Sequence, residues 1–226
     1  MSIPAERDYC KFPSILYLDC SPGLDEIDVS KRGLLKIKDL VGKPLVVTTK
    51  MDGSNVVLRY TEVAARNGFT ANHRSFDMLK AIHAELRELI PVGHQVFGEW
   101  LYAKHSIHYS DLETYLQLFA LYDTRKRLWE SWEEVEKCVK ELGVTTVPVL
   151  DYIQIDTEKA LRERIVEMAD KVIENGGEGV VVRDMESFSY EDFRSNIGKF
   201  VRENHVKTDE HWSQQPIVKN CIRELK

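Results

Sequence analysis

The chain has few of the features that would place it outside an ordinary intracellular fold. Its four cysteines, Cys10, Cys20, Cys138 and Cys221, are far apart and include no C-x-x-C pair. Neither a zinc ribbon nor a disulfide framework is therefore suggested, and a reducing cytosol is the natural compartment. The opening MSIPAERDYCKFPS has no apolar signal-like core, and no run approaches the roughly 18 apolar residues of a membrane span. A soluble, cytoplasmic protein is expected. Positive charge is not in excess: 31 Lys and Arg face 37 Asp and Glu, a formal net charge of −6. That balance argues against a protein that coats nucleic acid through bulk charge, although a local basic groove is compatible with it. The basic clusters at Lys31, Arg32, Lys36 and Lys38, and at Arg125, Lys126 and Arg127, read as solvated faces and a charged hairpin turn.

Repeats, low-complexity tracts and Pro-, Gly- or Ser-rich linkers are also missing. The 226 residues, 43% hydrophobic, can bury one substantial core, and residues 1–226 are expected to form a single domain. Strand-like runs, β-branched or aromatic and bounded by Gly, Asp, Asn or Pro, fall at 45–50, 55–60, 94–100, 115–123, 178–184 and 199–202. Three helices interrupt them. The first is capped by Ser75 or Asp77 and runs to Ile90, with Leu79, Ile82, Leu86 and Leu89 on one face. The second opens at Ser131, with Glu134 completing a capping box, and stops at Gly143. The third opens at Asp156 or Thr157 and stops at Asn175-Gly176-Gly177. The connection MDGS between the first two strand runs predicts a hairpin. Hairpins with sporadic helices, and no βαβ alternation, predict an α+β fold of antiparallel sheets with flanking helices.

Lys50 stands where an apolar run meets the small polar turn Met51-Asp52-Gly53-Ser54. An amine there is either a solvated turn residue or a nucleophile held by a rigid strand end, and Gly53 would let a phosphate approach the backbone. Glu99 in VFGEW and Glu178 in GGEGVVVRD each fall on a strand beside glycine, where a carboxylate can hold Mg²⁺ or a ribose hydroxyl. Thr48 and Thr49 add hydroxyls to the end of the same apolar run. His105 and His108 read as a structural or substrate-facing loop, His205 and His211 lack a third ligand, and Trp100 and Trp212 read as core or rim aromatics.

In order, KMDGSN, ARNG, FGEW, LQLFALYD, EGVVVRD and KFVR resemble the motif series of the covalent nucleotidyltransferases, which comprise ATP-dependent RNA and DNA ligases and the mRNA capping guanylyltransferases. The likeness is nearest to the RNA ligase 2-like group and spans Lys50 to Arg202. The resemblance implies an ATP-grasp-like ligase adenylation domain, with ATP as AMP donor and Mg²⁺ or Mn²⁺ as metal. It implies Lys50 as the residue that takes the nucleotide through a phosphoramide, Asn55 in the steps after adenylylation, and Arg66 at the ribose and the end being sealed. It further implies Glu99 at ribose or metal, Phe119 (with Tyr122 as rival) stacked on the purine, Glu178 at the metal, and Lys199 at the α-phosphate. The usual K-x-K of the last motif is not kept, since Phe200 and Val201 follow Lys199, so Arg202 or Lys207 supplies the second cation. Beside a stacked purine, Thr48 and Thr49 are the nearby candidates for the base edge, and Asp52 completes the expected site.

The partners so implied are RNA ends, in a nicked duplex or otherwise, or DNA, with no membrane. The 24 residues after Arg202 leave no room for the OB or helical domain that follows in relatives, so end-binding is expected from the chain's own surface or from a protein partner. Alternatives to an RNA ligase are a DNA ligase, a GTP-using capping-type guanylyltransferase, and a degenerate nucleotide-binding module.

Overall fold

The computed structural model describes residues 9–66, 72–203 and 216–224. Thirteen strands are found among them: β1 (Leu16–Leu18), β2 (Leu34–Leu35), β3 (Leu45–Thr49), β4 (Ser54–Leu58), β5 (Val63–Ala65), β6 (His94–Trp100), β7 (Leu116–Asp123), β8 (Leu128–Trp129), β9 (Thr145–Thr146), β10 (Val149–Ile153), β11 (Gly179–Asp184), β12 (Phe188–Ser189) and β13 (Ile197–Val201). The helices are α1 (Glu26–Arg32), α2 (Asp77–Leu86), α3 (Trp132–Leu142), α4 (Glu158–Glu174) and the single turn α5 (Phe193–Asn196). The strands form a six-stranded sheet, β10-β3-β11-β13-β1-β2, and a seven-stranded sheet, β12-β8-β7-β6-β4-β5 with β9 beside β7. This is the expected α+β class. Pairing is mostly antiparallel, but β1 runs parallel to β13 and to β2, and β9 parallel to β7, so the sheets are mixed.

Helix α4 covers one face of the six-stranded sheet because Leu161, Ile165, Met168 and Ala169 recur at helical spacing and meet Leu45, Val47, Val180 and Val182. Thr157 caps it, accepting from the Ala160 N–H at 3.4 Å. Helix α3 packs its buried Trp132, Val135, Val139 and Leu142 against the seven-stranded sheet. It is capped by Ser131 and ended by Gly143 in the left-handed region, as expected. A third core lies between the sheets. There Phe12 sits 5.1–5.4 Å, centroid to centroid, from Phe97, Phe119, Trp129 and Phe193. Burying each such phenyl ring contributes about 1.5–3 kcal/mol.

The MDGS turn is not a hairpin. Both edges of β3 are already paired, with β10 on one side and β11 on the other, while β4 pairs with β5 and β6. No ladder position remains for β4 on β3, so residues 50–53 carry the chain from one sheet to the other. The second strand run is also shorter than expected. It ends at Leu58, and Arg59 turns back, its N–H donating to the Glu62 carbonyl.

The first helix begins differently as well. His73, not Ser75 or Asp77, supplies the side-chain cap, of a 3-10 turn at Arg74–Phe76 that leads into α2. A second 3-10 turn, Arg87–Leu89, closes the helix. Its three-residue period rotates Leu89 off the buried face, leaving it 52% exposed. Beyond Val201 the chain leaves β13, and the Arg202 N–H donates to the Glu178 carbonyl at 3.1 Å. The Arg125-Lys126-Arg127 run does form the β7–β8 turn, with Arg127 at φ 55° and the Asp123 carboxylate accepting from two turn N–H groups. No helix among the described residues is long and apolar enough to cross a membrane.

Candidate active site

A cleft of about 560 Å³ opens where the chain crosses between the sheets. The six-stranded sheet supplies one wall through a cross-strand row, Tyr17, Lys199, Val181 and Thr48, set by consecutive registers of β1, β13, β11 and β3. Lys199, Val181 and Thr48 line the cleft, and the Lys199 ammonium lies 3.8 Å from the centroid of the Tyr17 ring, a cation–π contact. The seven-stranded sheet supplies the opposite wall through the row Asn55, Glu99 and Gln117 on β4, β6 and β7, the first two of which line the cleft.

Lys50 leaves β3 at the crossing. Its N–H donates to the Gly179 carbonyl at 2.9 Å, and its ammonium donates to Glu178 Oε2 at 2.7 Å. The pair is held in place from both sides: the Glu178 carbonyl takes the Arg202 N–H, and a Cβ on Gly179, at φ 147°, would lie 2.0 Å from the Phe200 carbonyl oxygen. Gly53 is required for a related reason. A Cβ there would come 2.7 Å from the Trp100 carbonyl and 2.8 Å from the Leu101 side chain, so its place is set by contact with the end of β6.

Glu99 Oε1 accepts from the Gly53 N–H at 3.1 Å. Burial pushes its carboxyl up to about 8; the Lys50 ammonium pulls it down, the Glu178 and Asp52 carboxylates push it further up, and the Gly53 N–H pulls it down. Glu99 keeps some surface open to the cleft, so water or a cation there works against that push. Asp52 is occupied differently: its Oδ2 accepts from the Ser106 and Ile107 N–H groups, each at 2.8 Å. It is a clamp on the adjoining loop while it lines the cleft.

Phe119 owes its orientation to an irregularity. The β6–β7 register steps from Gly98–Leu118 to Phe97–Ala120, leaving Phe119 as the extra residue of a bulge. Before it, Leu116 and Leu118 face the α3 side; after it, Leu121 does, while Ala120 and Tyr122 turn to the inter-sheet core. Bulges re-aim side chains in this way. Phe119 lines the cleft, whereas Tyr122 is 5% exposed and packs 4.7 Å from Trp129.

Thr49 and Arg66 also line the cleft, Arg66 with its guanidinium on Ser14 Oγ at 2.9 Å. Arg202 contributes its backbone and is not part of the lining. Lys207, His205, His211 and Trp212 lie outside the described residues. His105 and His108 are loop residues bonded to Ser54 Oγ and the Lys219 carbonyl, and Trp100 is core, its N–H on the Ser75 carbonyl.

Among the lining residues that sequence did not assign to the site are Arg32, Trp132 and Arg183. Arg32 reaches the cleft from the end of α1, although its cluster reads as a solvated face. Trp132 gives no signal beyond opening a helix. Arg183, an ionisable residue inside the apolar run GVVVRD, is the one whose position could have attracted notice. It is buried and bridges the sheets, donating to the Phe119 carbonyl at 3.2 Å and to the Glu130 carbonyl, with Trp132 and Phe188 rings 5.8 and 5.4 Å away. Burial lowers its guanidinium to about 10, against the opposing pull of Asp184.

Oxygen donors suited to a hard divalent cation gather in the cleft: the Glu99 and Glu178 carboxylates, and Asn55, whose buried Oδ1 accepts no hydrogen bond from the protein. Elsewhere, His94, Asp123 and Glu130 also come together, but Lys126 already reaches both carboxylates, at 3.3 and 3.5 Å.

A lysine amine, paired carboxylates, a second cation and an aromatic face in one cleft are the parts that nucleotide transfer requires. Residues 43–201 match the family model described as RNA ligase. The chain belongs to the RNA ligase family. Its structure is similar to an archaeal ATP-dependent RNA ligase (19% identity, TM-score 0.58, covering 84% of this chain and 48% of that one). It is also similar to a Naegleria gruberi RNA ligase variant with ATP and Mn (21% identity, TM-score 0.52, 74% and 51%) and to a putative ATP-dependent DNA ligase from Aquifex aeolicus (16% identity, TM-score 0.53, 84% and 49%). At these identities the likeness is one of fold, and the chain spans about half the length of those structures. No curated protein matches it.

Proposed function

We propose that this RNA ligase family member is an ATP-dependent RNA ligase whose described residues act as one adenylation unit. The observation that carries the reading is the Lys50 amine, 2.7 Å from Glu178 at the crossing between the sheets, in a cleft that also presents Glu99, Lys199 and Phe119. Lys50 Nζ attacks the α-phosphorus of ATP; an N–P bond forms and the bond to pyrophosphate breaks. Attack requires the neutral amine, so the Lys50 ammonium gives up its proton, through Glu178 Oε2 at 2.7 Å to water, as the ion pair opens in the reacting state. Lys199 faces the α-phosphate and Phe119 the purine, while Thr48 and Thr49 offer hydroxyls to the base edge. Glu99 and Glu178 would hold a divalent cation, which would supply neutralisation of the phosphate charge. The AMP then passes to a 5′-phosphate, and a 3′-hydroxyl displaces it to close the phosphodiester. Asn55, on the seven-stranded sheet, and Arg66, at the rim just past β5, serve these later steps.

Two assays test this reading. Incubation with α-labelled ATP or GTP and Mg²⁺ should label the protein from ATP, and label from GTP alone would make it a guanylyltransferase. Pre-adenylated RNA with a 3′-hydroxyl acceptor, without ATP, should then be sealed. No joined product on nicked, single-stranded or hairpin ends, from protein that labels well, would reject the ligase reading in favour of a transferase that does not seal alone.

A further inference from the structure

The turn that carries Lys50 is held by a loop, and the loop is held by the last described segment of the chain. The connection 101–115, between β6 and β7, has no strand or helix of its own apart from isolated bridges at Ala103 and Leu112. A connection of that length is uncommon in a compact domain unless something fixes it. On its inner side it grips the crossing. The Ser106 and Ile107 N–H groups donate to Asp52, the Asp52 N–H donates to the Tyr109 hydroxyl at 2.9 Å, and His105 meets Ser54 Oγ at 3.2 Å.

On its outer side residues 216–224 fill the place of a neighbouring strand. Asn220, 2% exposed, is the centre of that contact. Its Oδ1 accepts from the Tyr109 N–H at 2.9 Å and its Nδ2 donates to the Leu101 carbonyl at 2.8 Å. Its carbonyl takes the Tyr115 hydroxyl, and its N–H donates to Tyr102. The Cys221 N–H donates to the Tyr109 carbonyl, and Arg223 forms a forked pair with Asp111. Tyr109 thus receives Asn220 on its backbone and Asp52 on its hydroxyl. This segment lies outside the residues that match the family.

We propose that Asn220 and Tyr109 are positioning residues for the Lys50 turn: the 216–224 segment sets the 101–115 loop through Asn220, and the loop sets Asp52, two residues from the nucleophile. The inference rests on Lys50 being that nucleophile. Displacing a reacting atom by an ångström costs on the order of 100-fold in rate. Asn220→Ala should therefore lower the maximal rate of lysyl-AMP formation about 10- to 100-fold, with half-saturating ATP changed by less than about 3-fold. Amide exchange at Asp52, Ser106 and Ile107 should rise, and exchange within β6 should not. Tyr109→Phe removes one oxygen and should give a smaller loss of the same kind. In the double variant the losses should fall short of additive, because both act through one loop.

Wild-type rate and exchange in a folded Asn220→Ala protein, a loss confined to half-saturating ATP, or full additivity would overturn the proposal. Should Asn220→Ala fail to fold, Tyr109→Phe decides it, and unchanged rate and Asp52 exchange there overturn it equally. If the unaltered protein takes no label from ATP, the functional reading fails; the exchange measurements still decide whether Asn220 governs the turn.

Discussion

The six-stranded sheet meets the cleft through a ladder that is regular from β3 across β11 to β13, and the groups it delivers are charged: Lys50 at the end of β3, Glu178 before β11, and Lys199 on β13. The seven-stranded sheet meets it with Asn55, Glu99 and Phe119 and breaks register to do so, at the bulge beside Gly98. These charged groups are fixed by unbroken pairing backed by α4. The aromatic Phe119 is aimed by a local defect. On the proposed function, variants of the charged groups on the first wall should therefore abolish nucleotide transfer, and variants of Phe119 on the second should retune ATP binding.

The largest effect falls on Lys50. Lys50→Ala should form no covalent adduct with α-labelled ATP while keeping its fold, because the side chain lines the cleft and belongs to no apolar core. An adduct that survives denaturation in that variant would remove Lys50 from the chemistry. Next comes Glu178→Ala, for which we expect lysyl-AMP formation to fall about 100- to 1000-fold, a loss typical of a key electrostatic group. ATP binding should fall far less. Unchanged rate and unchanged Mg²⁺ dependence would show that the carboxylate closest to Lys50 has no part in the reaction.

The unequal regularity of the two walls also explains what could be read from the sequence. β-Branched runs bounded by turn residues reveal β3, β6, β7 and β11 because those strands are buried and long enough to show a pattern. Short β2, β8, β9 and β12 have only two residues each and carry no period. Asp-Gly between two strand runs signals a tight turn, and the turn exists; which sheet receives the next strand depends on whether β3 has a free edge, and residues 149–153 and 179–184 take both. Likewise Lys50, Glu99 and Glu178 stand out as charges on apolar strands. The choice between Phe119 and Tyr122 turns on one inserted residue in a ladder, which no alternation pattern displays. Asn220 is invisible for a further reason: its hydrogen bonds all go to residues more than 100 positions away.

That bulge makes the third prediction. If Phe119 is the stacking aromatic, Phe119→Ala should weaken ATP by about 1–3 kcal/mol, or roughly 5- to 150-fold in half-saturating concentration. Tyr122→Phe, which keeps the ring packed on Trp129, should stay within about 2-fold. The reverse ranking would mean that the bulge does not serve the cleft, and the contrast between the walls would lose its second half.

The smallest effect on nucleotide transfer is expected at the rim, where neither ladder reaches. Arg66 stands just past β5, exposed, with its guanidinium on Ser14 and its N–H on the Asn55 carbonyl. A group so placed stabilises a transition state only when a polynucleotide end is present. Arg66→Ala should therefore change lysyl-AMP formation by less than about 3-fold, while sealing of a pre-adenylated 5′ end falls at least about 10-fold. Because the chain carries a net charge of −6, end-binding is expected to rest on few phosphate contacts. Binding should weaken only shallowly with salt, and loss of one contact should flatten the log–log slope by about 0.7–0.9. Equal losses in both steps would place Arg66 with the nucleotide, on the same footing as Glu99 and Phe119, and the rim would then be an extension of the second wall.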